Sequence, residues 1–145
     1  MILIDEKGVL RVTYEEDAGI QVHEWLDYNP EGRDELIRQL LDRIYQRLID
    51  FPVEKLLVKA DQARGAFSPE VQAFIREVQF PRLQAQASIR FVVTVRQRDT
   101  LASIGTELWK SQLKANSRLI MHDVESEAEA RAWLAEVDEI SRQIG

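Results

Sequence analysis

With 145 residues, 45% hydrophobic and 30% charged, the chain has the composition of one globular domain with enough apolar side chains for a core. Its formal net charge of −6 argues against a broad nucleic-acid surface, which needs a basic face to displace counterions. The absence of cysteine excludes disulfides, thiolate metal sites and cysteine catalysis within the chain.

The first residues, MILIDEKG, lack both the basic start and the long apolar run of a signal peptide. No apolar run could span a membrane, so a cytoplasmic location without membrane insertion is the simplest expectation. Residues 8–14, GVLRVTY, place Leu10, Val12 and Tyr14 on one side at strand spacing. A turn ending in Gly19 leads into IQVHEWLDY, a second strand that should pair antiparallel with the first. The alternation changes phase near Glu24 and Trp25, which would place a bulge there.

The loop NPEGRDE opens the clearest helix in the chain. Leu36, Ile37, Leu40, Leu41, Ile44, Tyr45, Leu48 and Ile49 form its apolar stripe. Phe51-Pro52 ends it. VEKLLVKA is a short, nearly continuous apolar run, as expected of a strand covered on both faces. A helix then starts at Ser68, with Val71, Phe74, Ile75 and Val78 buried. Pro81 is expected to kink or break that helix, because it removes an N–H and its ring clashes with the preceding turn. Gln84 to Ala87 would continue as a second short helix.

IRFVVTV reads as a strand with Ile89, Phe91, Val93 and Val95 on one face. TLASIGTELWKSQL reads as a helix and RLIMHDV as the last strand. Ser126 and Glu129 then have the spacing of a capping box that opens a C-terminal helix carrying Ala130, Trp133, Leu134, Val137 and Ile140. The order β-β-α-β-α-β-α-β-α predicts a single α/β domain over residues 1–145. A central mixed five-stranded sheet would carry an N-terminal antiparallel hairpin and about four covering helices.

This order resembles a STAS-like domain, the fold of bacterial anti-sigma-factor antagonists, and is closest to bacterial STAS-like proteins of unknown function. The segments that carry the resemblance are GVLRVTY–GIQVHEWL, KLLVKA, FSPEVQAFIREVQFPRL, IRFVVTV and SEAEARAWL. The resemblance implies a non-enzymatic regulatory or protein-interaction module with an as yet unknown protein partner. In the antagonists a phosphorylatable serine starts the helix after the third strand, and Ser68 is the positional match. Here, however, Arg64-Gly65-Ala66-Phe67-Ser68-Pro69 stands in place of the family's acidic-serine-serine-glycine pattern.

Ser68 therefore has two readings. As an N-cap it would accept a bond from a first-turn N–H, with Pro69 at the favoured first position. As a phosphosite it would place an anion at a helix N-terminus, although Pro69 withholds a donor and Glu70 adds a like charge.

In open α/β sheets ligands favour the crevice at the carboxyl ends of the strands. That rim would hold Asp61, Arg64, Arg96, Arg98, His122 and Asp123, and converging arginines there could grip an anion, a nucleotide or a lipid headgroup. A small-ligand carrier or sensor at this crevice is the alternative function; as a null, the rim is polar because loops meet water. His23 and His122 stand apart in the sequence and read as structural or solvent-facing. Trp25 and Trp133 read as core. Trp109 with Leu113 would mark an interface if exposed, since tryptophan is enriched at binding hot spots. No catalytic motif, metal site or cofactor is expected, and a two-fold homodimer is the commonest assembly for a small domain.

Overall fold

The computed structural model describes residues 1–97 and 119–144. The strands are β1 (Ile2–Glu6), β2 (Leu10–Glu15), β3 (Ile20–Trp25), β4 (Lys55–Lys59), β5 (Phe91–Val95) and β6 (Ile120–Val124). They form one mixed sheet in the order of the chain, β1 to β6. The first three pair antiparallel and the last four, from β3 onward, pair parallel. The two hairpins turn at Gly8 and Gly19, whose φ values of 77° and 68° lie in the left-handed region that glycine enters without a Cβ clash.

The sheet thus has six strands rather than the expected five. The additional strand is MILIDE, a segment too short and too mixed to carry a strand signal by itself. Ile4, buried beside Val12, ties it to the core, whereas Met1 and Ile2 remain exposed at the sheet edge.

The helices are α1 (Asp34–Asp50), α2 (Pro69–Phe74), α3 (Phe80–Gln86) and α4 (Glu127–Ile144). Between α2 and α3 the chain makes a π-helical turn, Ile75–Gln79. The helix expected over TLASIGTELWKSQL lies outside the described residues. Helices α1 to α3 cross between parallel strands and share one face of the sheet, where Ile37, Leu40, Leu48, Val71 and Ile75 join Leu10, Val12 and Trp25 in one core cluster. The segment α4, following the last strand, covers the other face. There Ala130, Leu134 and Val137 meet Ile20, Val22, Leu57, Val93 and Val95. With cores on both faces, the central strands lose the simple alternation of apolar and polar residues.

This explains the apparent phase change in β3. The structure has no bulge at Glu24–Trp25; the register with β2 runs unbroken from Ile20 to Trp25. Ile20 and Val22 point toward α4, and Gln21, His23 and Trp25 point toward α1. Polar Gln21 and His23 simply occupy buried positions. The irregularity in the sheet lies instead between Ile2 and Ile4, where β1 pairs with β2.

Pro81 neither breaks the helix nor stops it. The backbone stays right-handed helical through Phe74, Ile75, Gln79 and Phe80. The π turn shifts the bonding so that Phe80 N–H reaches Ile75 O, which accommodates the proline without ending the helix. Side chains fix this segment against α1. Gln79 Nε2 donates to Leu41 O at 2.9 Å, and Arg82 pairs with Asp42 at 2.7 Å while lying 4.4 Å over the Tyr45 ring. The same Arg82 donates to Gln79 Oε1, and Tyr45 donates to Gln86. β5 begins only at Phe91, so Ile89 sits before the strand rather than in line with Phe91 and packs into the α1-side core.

Candidate functional site

The strand-end rim does not gather its cations. Arg64 has a side chain 78% exposed and reaches Asp27 at 3.7 Å, beyond β3. Arg96 turns the other way, to Glu125 at 3.5 Å, beyond β6. Asp61 accepts a long bond from neighbouring Gln62. His122 and Asp123 are adjacent strand residues and so take opposite faces; His122 stacks on Trp133 of α4 with ring centroids 5.2 Å apart. Trp133 is half-buried, with Phe91 on its other side, and not a central core residue. Arg98, Trp109 and Leu113 lie outside the described residues. Among the described residues no three His, Asp or Glu side chains form a metal-binding group, and no helix is long and apolar enough to cross a membrane.

Ser68 caps α2. Its backbone is extended, and its hydroxyl oxygen accepts from Val71 N–H at 3.2 Å, with Pro69 at the first helical position. Ser68→Ala is expected to lower stability by about 1 kcal/mol, and Ser68→Asp, which can still cap, by much less. Urea denaturation of the two variants measures this; equal losses would show that the hydroxyl contact carries no weight.

The concavity that the fold does build lies beneath the helices, against the middle of the sheet. It is a cavity of about 170 Å³. The sheet supplies His23, Trp25, Leu56, Val58, Val92, Thr94 and Met121; α1 supplies Leu41, Ile44 and Leu48; the π turn and α3 supply Ile75, Gln79, Phe80 and Leu83. Trp25, Tyr28 and Phe67 form an aromatic wall. Tyr28 and Phe67 lie 4.5 Å apart by ring centroid, and Trp25 meets Phe67 edge-on at 5.3 Å. None of the lining side chains among the described residues is an acid, a lysine or an arginine. At Ile89 and Leu119 the cavity adjoins a surface groove along Pro81, Gln84 and Ser88.

One polar chain runs into this wall. Gln21 is fully buried, and its Nε2 donates to two carbonyls at the C-terminal end of α1: Arg47 O at 3.0 Å, which also accepts from Phe51 N–H, and Phe51 O at 2.9 Å. Both amide hydrogens are thereby used, so Gln21 Oε1 faces His23 Nε2, 2.9 Å away, and must accept a hydrogen from it. The imidazole therefore carries a hydrogen on Nε2. Burial, without any charged neighbour, pushes its pKa down to about 3. The same burial raises the Tyr28 hydroxyl well above its usual range.

A second, shallower concavity of about 200 Å³ sits on the opposite face, over β2 to β4. Asp5, Arg11, Glu24 and Lys59 stand side by side on four neighbouring strands, with alternating charge. Lys59 reaches Glu24 at 3.1 Å and Glu127 at 2.9 Å. Arg131 grips Glu15 with two bonds, at 2.9 and 2.8 Å, and also bonds Glu127 at 2.9 Å. Arg131 and Lys59 hold the Glu15 and Glu127 carboxyls below the usual carboxylate range, respectively. These charges satisfy one another and fasten α4 to the sheet.

Sequence reasoning offered the rim as the alternative ligand site and read His23 as structural or solvent-facing. The usable signal for the cavity was in the polar residues Gln21, His23 and Thr94, set among apolar residues of β3 and β5. Comparison of the chain with family models, with curated proteins and with solved structures gives no match.

Proposed function

We propose that this protein is a non-enzymatic regulatory module of STAS-like architecture that carries or senses a small apolar ligand. The ligand site is the cavity between the sheet and α1–α3, not the polar rim at the strand ends. The observation that carries this reading is the cavity itself. Its volume of about 170 Å³ is similar to that of an engineered apolar cavity, of about 150 Å³, that stays dry and takes up benzene. Its wall is shaped by side chains from four strands, α1, the π turn and α3, and has a fixed polar group on one side. Catalysis would need a titratable group poised near working pH, and the lining histidine is held neutral far below that range.

Benzene titration followed by methyl NMR tests the reading. The methyl groups of Ile44, Leu48, Val58, Val92 and Met121 are expected to shift together and to saturate. Val92→Phe, which places a ring inside the cavity, should abolish the shifts while the chain still unfolds cooperatively. Shifts confined to surface methyls, or unchanged by the Val92 substitution, would overturn it. Native mass spectrometry of the protein from its own host would then show which ligand is retained.

A further inference from the structure

Resting on that reading, the ligand's chemical class follows from the atoms that line the cavity. His23, Tyr28 and Thr94 are only 3%, 5% and 5% exposed, and each lines the cavity. His23 Nε2 is engaged by Gln21; no described residue bonds its Nδ1 or the Tyr28 hydroxyl. Among the described residues no fully enclosed side-chain nitrogen or oxygen lacks a partner, so these two atoms are not sealed in the packing, and the residues that carry them line the cavity. The amide of Gln21, anchored on two backbone carbonyls, fixes the tautomer that leaves Nδ1 as an acceptor.

We propose that the cavity binds a neutral phenol, or a molecule ending in a phenolic ring, whose hydroxyl donates to His23 Nδ1. The ring-sized volume and the Trp25–Tyr28–Phe67 wall suit an aromatic ring. No lining side chain among the described residues is charged, and an ion beside them would be desolvated without a counter-charge from them, which favours a neutral ligand. The imidazole offers an acceptor, which a phenol hydroxyl meets and a bare hydrocarbon leaves unmet. A tail on the ring would leave past Ile89 and Leu119 into the groove.

The test compares phenol with benzene on the intact chain, with ¹⁵N NMR of His23 as second readout. Phenol is expected to bind at least as tightly as benzene and to move the Nδ1 resonance, with His23 already in its Nε2–H form before addition. In a cavity without an acceptor the hydroxyl would cost phenol roughly tenfold or more relative to benzene; weaker binding of phenol than of benzene overturns the proposal. So does an Nδ1–H tautomer, or an Nδ1 resonance that phenol leaves unmoved. If benzene also fails to bind, the cavity reading itself falls; if benzene alone binds, only the phenol assignment does. His23→Phe should retain benzene and lose phenol. Because that substitution leaves Gln21 Oε1 unpaired, the NMR of the native chain decides if the variant does not fold.

Discussion

Gln21→Leu is expected to lower stability by about 3 kcal/mol at neutral pH. The substitution conserves size, so the effect comes from hydrogen bonding alone. Two groups lose their partner at once, Phe51 O and His23 Nε2–H, whereas Arg47 O loses one bond and keeps that from Phe51 N–H. A buried group left unsatisfied costs about 1–3 kcal/mol, and the two carbonyls recover part of that from water at the helix end. Gln46→Leu is the control. Gln46 is exposed on α1, where it bonds Asp50, and its loss should stay within about 0.5 kcal/mol. Urea denaturation of both variants measures the difference. A loss below about 1 kcal/mol for Gln21→Leu would mean that the amide does not hold the end of α1, and would remove the reason for the His23 tautomer.

The second large effect is a loss of stability in mild acid. His23 is buried and neutral, with its pKa pushed down to about 3, whereas in the unfolded chain it titrates near ~6.5. Between these values the unfolded state binds a proton that the folded state refuses. The contribution is therefore complete above ~6.5 and is lost as the pH falls below it, at up to about 1.4 kcal/mol per pH unit. By pH 5 the loss should reach about 2 kcal/mol, a figure that requires only a folded-state pKa well below 5. The carboxyls of Glu15 and Glu127, whose folded pKa values are lowered, add their own loss as pH falls further, below the ordinary carboxylate range. Stability measured at pH 7, 6 and 5 for the native chain and for His23→Phe isolates the histidine. A native profile flat from pH 7 to 5 would contradict a buried neutral imidazole, and with it the acceptor at the cavity wall.

Much of the fold was legible along the chain. The stripe from Leu36 to Ile49 marked α1 to its last turn, because a helix with one buried face repeats its apolar residues at a period close to 3.6. The Ser68-Pro69 pair marked the start of α2, since capping is a local matter of one hydroxyl and one N–H. Ser126 likewise accepts from Glu129 N–H at 3.2 Å at the start of α4. β1 was not legible, because an edge strand with one strongly buried residue, Ile4, has no period to read. The alternative of a break at Pro81 does not occur, for a different reason. The rule about proline assumes an unbroken α-helical bonding pattern, and a π turn just upstream changes that pattern.

The site divides along the same line. Asp61, Arg64 and Arg96 do follow the carboxyl ends of β4 and β5, because strand ends follow from strand positions, whereas His122 lies in the middle of β6 and Asp123 just before its last residue. Their failure to converge could not be read from the chain: Arg64 and Arg96 each found a carboxylate on a different side of the sheet.

Local sequence by itself determined the α/β class, the main helices, the serine caps of α2 and α4 and the succession of parallel strands, all of which rest on periodicities and contacts within a few residues. Tertiary structure alone decided that Gln21 would close α1 from across 26 residues of chain, that His23 would be neutral, and that an aromatic-walled cavity would form beside it. Those outcomes depend on which side chains meet after the sheet and helices pack, and a polar residue in a strand looks the same in sequence whether it faces water or a buried carbonyl.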